Sequence, residues 1–317
     1  MKETLWFTGR DIIAGKVKFP YKPLDKNDAL DGFLKLRKSA CTSPGGHIDQ
    51  TDDASNFFFQ KKRFETKNKG FVPAEKWRSR EYRTVVVDRL RKLNKKGSFG
   101  TDPSSDLFRQ SSIRSCITLE YGVRQFHPSS ACYVYTILKP KKVLDFSSGW
   151  GDRCVAAMAK GIDYVGVDSN TSLKPVYDKM IKFYKPHSKS AVSMLFNKAE
   201  GVDYRKIRDI DLIFTSPPFY KKEVYNGMPT YTSYKHWEET FLFTVIRGSM
   251  QCLKRGGLLA LHIPPDIKDS VCKLLGEPFK VIDISRHHVS RSYNGKKTHM
   301  KIQDIVYCWK KKAVRTP

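Results

Sequence analysis

The residues of this chain best placed to do chemistry lie in Asp211-Leu212-Ile213-Phe214-Thr215-Ser216-Pro217-Pro218-Phe219. An apolar, strand-forming run stops on a Ser-Pro-Pro-aromatic turn. Proline fixes φ and removes an amide donor, so the strand's last residues are held stiffly. The Ser216 hydroxyl and the Pro217 carbonyl are then left to face a ligand at the strand's carboxyl end. Phe219 adds a flat ring beside them. Taken alone, the tetrapeptide reads equally well as a turn that merely closes a strand.

A second group of residues lies upstream. Lys142 to Arg153 (Lys-Val-Leu-Asp-Phe-Ser-Ser-Gly-Trp-Gly-Asp-Arg) reads as a strand, a glycine turn and the start of a helix running from Asp152 to Lys160. Gly149 and Gly151 let backbone approach a bound molecule closely, as in nucleotide-binding strand–turn–helix units. A further strand ends in Val167-Asp168-Ser169, about 20 residues past the glycine turn, where a carboxylate suits the two hydroxyls of a ribose. Asp168 also reads as a cap for the helix beginning near Thr171. Glu200, after the next strand, reads either as a ligand contact or as a first-turn carboxylate complementing a helix dipole. Before the glycine strand, Gln125-Phe126-His127-Pro128-Ser129-Ser130 leads into an apolar helix from Ala131 to Leu138, with Ser129 or Ser130 as its alternative N-cap.

The Ser-Pro-Pro-Phe turn resembles motif IV of the amino-methyltransferases, which methylate the exocyclic NH2 of cytosine (N4) or adenine (N6) in DNA. Asp-x-x-x-Gly-x-Gly from Asp145 is similar to motif I of that family, and the aromatic-x-Pro at Phe126 and Pro128 is similar to motif X. One place departs from the pattern: Ser147 stands where the family usually has an aromatic, with Phe146 just ahead of it. The resemblance spans roughly residues 108–312 and implies S-adenosyl-L-methionine as cofactor. It assigns the cofactor to Phe126, Pro128, Ser129, Asp145, Phe146, Ser147, Gly149, Gly151, Asp168, Ser169 and Glu200. It assigns the chemistry to Ser216, Pro217, Pro218 and Phe219. An exocyclic amine is a poor nucleophile because its lone pair is delocalised into the ring. Two acceptors on its N–H groups favour the pyramidal nitrogen that attacks a methyl group, while Phe219 stacks on a flipped base. Ser before Pro-Pro is commoner in the cytosine-N4 group, which sets that target ahead of adenine N6. RNA adenosine N6-methylation is the rival within the same chemistry. A catalytically silent methyltransferase fold serving as a nucleic-acid-binding subunit is the rival outside it. The arrangement is similar to standalone modification enzymes of phages and large DNA viruses.

Elements must position these residues. From about Gln110 onward short β-rich runs alternate with helical stretches, which argues a doubly wound α/β sheet. Strands are predicted at 143–148, 164–169, 191–198, 211–216, 258–264, 279–286 and 301–310, with a helix over 233–254 ended by Gly256-Gly257. The expected fold is the class I, Rossmann-like methyltransferase fold: a mostly parallel seven-stranded sheet whose last strand is antiparallel. Residues 108–317 are expected to form this domain. Residues 1–107 are expected to form a basic N-terminal region that serves target recognition.

Composition points to the partner. Fifty-eight Lys and Arg against 32 Asp and Glu give a net charge of +26 and favour a polyanion, nucleic acid ahead of a membrane surface. The excess is spread over both halves of the chain. Cations are interleaved with aromatics at Phe57 to Phe64 and Lys76 to Arg83, a mixture that suits phosphate contact and base stacking. It equally describes a helical domain with a basic outer face. The expected nucleic-acid contacts are Lys61, Lys62, Arg63 and Arg78, with Lys221, Lys222, Arg286, Arg291, Lys296 and Lys297 on the rim of the catalytic domain. His287, His288 and His299 lack a carboxylate or cysteine at ligand spacing, so no metal is expected. Seven scattered cysteines, an odd number without Cys-x-x-Cys, suggest no disulfide framework. They fit a reducing intracellular compartment. No signal peptide or membrane-length apolar run is read.

Overall fold

A computed structural model describes residues 5–42, 51–68, 70–95, 104–121, 124–220, 229–291, 297–302 and 304–311. By their contacts the residues fall into two units. The larger comprises residues 25–59, 125–286 and 303–317, the smaller residues 1–24, 60–124 and 287–302. This division does not follow the boundary expected at residue 107: residues 25–59 belong with the sheet.

The larger unit is built on a seven-stranded sheet. Its strands are β1 (Lys142–Asp145), β2 (Asp163–Asp168), β3 (Val192–Phe196), β4 (Ile210–Thr215), β5 (Leu253–His262), β6 (Lys280–Asp283) and β7 (Ile305–Lys310), in the spatial order β3-β2-β1-β4-β5-β7-β6. The pairs among β1 to β5 are parallel, and β7 runs antiparallel to both β5 and β6. This is the expected class I methyltransferase arrangement. Strands covered on both faces need apolar side chains at every position. Val143, Leu212 and Phe214 accordingly enter one core, and Leu144, Ile213 and Leu259 enter another. The order reverses between β1 and β4, so the turns after those two strands flank the crevice where open α/β sheets bind ligands.

Three boundaries differ from expectation. The helical run that starts at Ser233 is π-helical over Glu238–Phe243 and ends at Met250. Strand β5 begins at Leu253 and passes through Gly256 and Gly257. There its register against β4 shifts, and Gly256 adopts a positive φ of 76°. The glycine pair is thus a strand irregularity and not a helix stop. Residues 301 and 302 belong to a separate two-stranded pairing of Arg286–Arg291 with Lys297–Ile302, so β7 starts only at Ile305.

The smaller unit packs the helices Arg80–Lys95 and Gln110–Tyr121 around Ile12, Phe64, Trp77, Val86, Leu90, Phe108 and Ile113. Trp6–Thr8 pairs with Leu107–Arg109 beside them. Among the described residues, no helix is long and apolar enough to cross a membrane.

Candidate functional site

The glycine turn is braced by a buried polar network. Asp145 ends β1 with no exposed surface. Its carboxylate accepts from Arg153 Nε at 2.7 Å, from the Tyr164 hydroxyl at 2.6 Å and from the Ser147 amide at 3.2 Å. The Arg153 guanidinium also donates to the Ser147 carbonyl. Hydrogen bonds at several atoms offset the desolvation cost that a buried ion pair carries. Burial pushes the Tyr164 and Tyr177 phenols well above their usual pKa, so both stay protonated and able to donate. The Tyr177 hydroxyl donates to the Gly149 carbonyl at 3.0 Å and accepts from the Gly151 amide at 3.1 Å. Asp145 therefore holds the turn from within, and Phe146, only 2% exposed, packs into the core. The side chains of both residues thus brace the turn from within, where a cofactor contact was expected of them.

The two glycines differ. Both have positive φ, 59° at Gly149 and 76° at Gly151, where a side chain is strained. At Gly151 an added Cβ would fall 2.5 Å from the Phe59 ring. That glycine admits a side chain of its own protein. At Gly149 an added Cβ would meet only the Ser147 carbonyl oxygen, 3.9 Å away. Gly149 is the open position.

Asp168 joins this turn to β2. Its carboxylate accepts from the Gly149 amide at 2.7 Å and from the Asn170 amide at 2.8 Å. The cap of the following helical turn is Asn170, which accepts from Ser172, so Asp168 is not that cap. Withdrawal from water pushes the Asp168 pKa up to about 6, partly offset by the two amide donors, which favour the carboxylate. Ser169 beside it is exposed, and Glu200 lies half-buried in the short turn after β3.

Ser216 follows β4, half-buried, with Pro217 buried behind it and Pro218 and Phe219 partly exposed. Thr215 pairs with Leu261, so the next pair in register is Ser216 with His262. The Ser216 hydroxyl lies 3.0 Å from His262 Nδ1, and His262 Nε2 lies 3.3 Å from Asp304 Oδ1. Neither His262 nor Asp304 was marked by any motif. The signal for His262 is the β4–β5 register, which places the last residues of two parallel strands side by side, and Asp304 comes beside His262 through the β5–β7 pairing. Phe126 joins the two turns: its ring stands edge-on to Phe214 and His262, at 5.7 and 5.2 Å, under the Arg153 guanidinium at 5.1 Å. Pro128 opens the helix Pro128–Leu138, whose N-cap is His127 and not a serine; Ser129 is half-buried in its first turn. His127 Nδ1 sits 2.8 Å from Asp52.

The basic residues divide. Lys61 and Arg78 are exposed and Lys62 is half-buried, but Arg63 is only 7% exposed and its guanidinium lies 5.3 Å from the Phe64 ring centre. Arg63 is therefore withdrawn from any surface phosphate. Phe59, Phe64, Trp77 and Tyr82 are core residues, not stacking platforms for bases. Arg286, Arg291 and Lys297 fall on the two paired strands, where the backbone alone is described, and Lys221, Lys222 and Lys296 lie outside the described residues. The histidines at 287, 288 and 299 are on the same strands. Among the described residues, no cluster of His, Cys, Asp and Glu could hold a metal ion.

No known protein-family model matches the chain, and no curated protein does. Solved structures do resemble it in part. A putative class I S-adenosylmethionine-dependent methyltransferase of Listeria monocytogenes is 12% identical, over 92% of this chain and 90% of that one, with a TM-score of 0.44. An S-adenosylmethionine-dependent O-methyltransferase of Thermotoga maritima is 15% identical, over 62% and 69%, with a TM-score of 0.42. A putative RNA methyltransferase of Pyrococcus horikoshii is 13% identical, over 58% and 82%, with a TM-score of 0.37. Likenesses this low carry no argument about what this chain acts on.

Proposed function

We propose that this chain is an S-adenosylmethionine-dependent methyltransferase that modifies an exocyclic amino group of a nucleic-acid base, in DNA and at cytosine N4 ahead of adenine N6. One juxtaposition carries the reading. The Gly149 turn with Asp168 and the Ser216-Pro217-Pro218-Phe219 turn follow strands on either side of the sheet's switch point. The residues present fit the cofactor. Open space stands before Gly149, and the Asp168 carboxylate, raised to about 6, is suited to accept from ribose hydroxyls, which would favour its ionised form. Asp168 and Ser169 would hold the ribose, Glu200 the adenine end, and Phe126, Pro128 and Ser129 the methionine end. When bound, S-adenosylmethionine supplies an electrophilic methyl group. The protein's own work is to accept both N–H bonds of the target amine at the Ser216 hydroxyl and the Pro217 carbonyl, and to stack the base on Phe219. The charge of +26 supports a polyanionic substrate. The exposed cations Lys61 and Arg78, with half-buried Lys62, would contribute to its contact and target choice.

Tritiated methyl transfer to DNA and to RNA, followed by nucleoside mass spectrometry, tests the reading. N4-methylcytosine in DNA is the expected product. N6-methyladenosine in RNA would move the substrate to the rival class. Calorimetric cofactor binding without transfer to either nucleic acid would overturn the enzymatic assignment.

A further inference from the structure

The contact between Ser216 and His262 has a direction that Asp304 sets. A neutral imidazole carries its proton on one nitrogen and accepts on the other. With Nε2 facing the Asp304 carboxylate at 3.3 Å, the proton belongs on Nε2, and Nδ1 is left as an acceptor 3.0 Å from the Ser216 hydroxyl. The hydroxyl must then point its hydrogen at His262. That leaves its oxygen lone pairs for a donor on the other side. Asp304 is itself held in place: its amide donates to the Ser285 hydroxyl at 3.0 Å, just ahead of β7. Phe126 packs edge-on to the imidazole ring.

We propose that Ser216, His262 and Asp304 form a proton relay, with His262 and Asp304 acting through Ser216 as positioning residues. This rests on the amine-methylation reading above. In the free protein the relay orients the Ser216 oxygen as an acceptor for an amine N–H. During transfer an N–C bond forms and the cofactor's S–CH3 bond breaks, turning the sulfonium into a thioether. The methylated nitrogen then bears a positive charge and a surplus proton. That proton passes to Ser216 Oγ as the hydroxyl's own proton passes to His262 Nδ1, and the resulting imidazolium faces the Asp304 carboxylate. Water takes the proton when product leaves, and the neutral tautomer is restored. A serine hydroxyl is a weaker acceptor than a carboxylate. The relay supplies what that hydroxyl lacks.

Two measurements test it. Nitrogen-15 spectra of histidine-labelled protein, with the His262 signals assigned by their loss in His262→Asn, should show a neutral ring protonated at Nε2; Asp304→Asn should abolish that preference. A ring protonated at Nδ1 overturns the relay whatever the enzyme's substrate. In the tritium assay His262→Asn keeps a side-chain acceptor for the hydroxyl but has no basic nitrogen. Its kcat should fall about 100-fold, with KM and cofactor affinity within about twofold of wild type. Added imidazole should restore part of the activity of His262→Ala. Wild-type kcat in His262→Asn would reduce His262 to a hydrogen-bond partner and refute proton transfer. The failures are separable. If wild-type protein methylates no nucleic acid, the functional reading falls, whereas a Ser216→Ala defect with an unimpaired His262→Asn sinks the relay alone.

Discussion

The two turns at the switch point are built in opposite ways. In the glycine turn the protein uses its own polar groups on itself: Asp145 on Arg153 and Tyr164, Tyr177 on both glycines, Phe59 in the space a side chain at Gly151 would take. The Ser-Pro-Pro-Phe turn is stiffened by its prolines, and its hydroxyl meets an imidazole that is itself polarised by a carboxylate. A surface that binds a constant ligand gains from being fixed by a buried network, because no ordering is left to be done on binding. A group that must exchange a proton needs a titratable chain behind it. The difference predicts which substitutions unfold the protein and which only silence it.

Arg153→Met should have the largest effect. It strands the Asp145 carboxylate in a site with no exposed surface, and breaking a buried pair from one side costs about 3–5 kcal/mol. Denaturant unfolding should show that loss. The double variant Asp145→Leu with Arg153→Met should recover part of it, since no charge is left unpaired. Equal stability of the wild type and the single variant would mean that the network does not hold the turn.

Ser216→Ala is the opposite case. Removal of one preorganised acceptor should lower kcat about 100-fold or more. The unfolding curve and cofactor affinity should hardly move, because the residue is only half-buried and the change removes one hydrogen bond, to His262, and no apolar bulk. A variant as active as wild type would strip the turn of its catalytic assignment.

The glycines test the comparison inside one turn. Alanine at either position should cost about 1–2 kcal/mol for its positive φ. At Gly151 it also collides with Phe59, adding about 1–3 kcal/mol of overpacking. Phe59→Leu should relieve only the Gly151→Ala variant. Gly149→Ala should stay folded and lose cofactor affinity, since its methyl group enters open space. Calorimetry and thermal unfolding of the pair separate the two roles; indistinguishable variants would show that the turn has no open side.

Much of this was legible in the chain because the central strands are buried on both faces and read as unbroken apolar runs at Val143-Leu144 and Leu212-Ile213-Phe214. Spacing alone found the turns that follow them. It could not find His262, which becomes a neighbour of Ser216 through strand register, or Asp304, which becomes a neighbour of His262 in the same way. Nor could composition tell which way the rings and cations of residues 57–83 face. A helix with Phe59 and Arg63 turned inward has the same sequence as one that presents them to a phosphate. Gly256-Gly257 misled for a related reason: glycine relaxes backbone equally at a helix end and at a bulge.

Asp168 gives the smallest effect, and it tests whether the glycine turn meets the cofactor through this carboxylate. In an unfolded chain its carboxyl titrates near 3.8, and in the folded protein at about 6. A raised carboxylate pKa means that the folded state holds its proton more tightly. The stability this confers is complete below about pH 4 and is lost as pH rises through about 6. Ribose hydroxyls donate, so they favour the ionised form, and cofactor binding should release a proton in the range around pH 5 to 6. Affinity should therefore be flat above about pH 7 and weaken about tenfold per unit below about pH 6. Calorimetry in buffers of different ionisation enthalpy reads both the affinity and the proton count. Asp168→Asn should flatten the profile at the low-affinity level, because an amide oxygen accepts but carries no charge to restore. Wild-type affinity that is unchanged between about pH 5 and 8 would leave Asp168 as a brace for the Gly149 amide and nothing more.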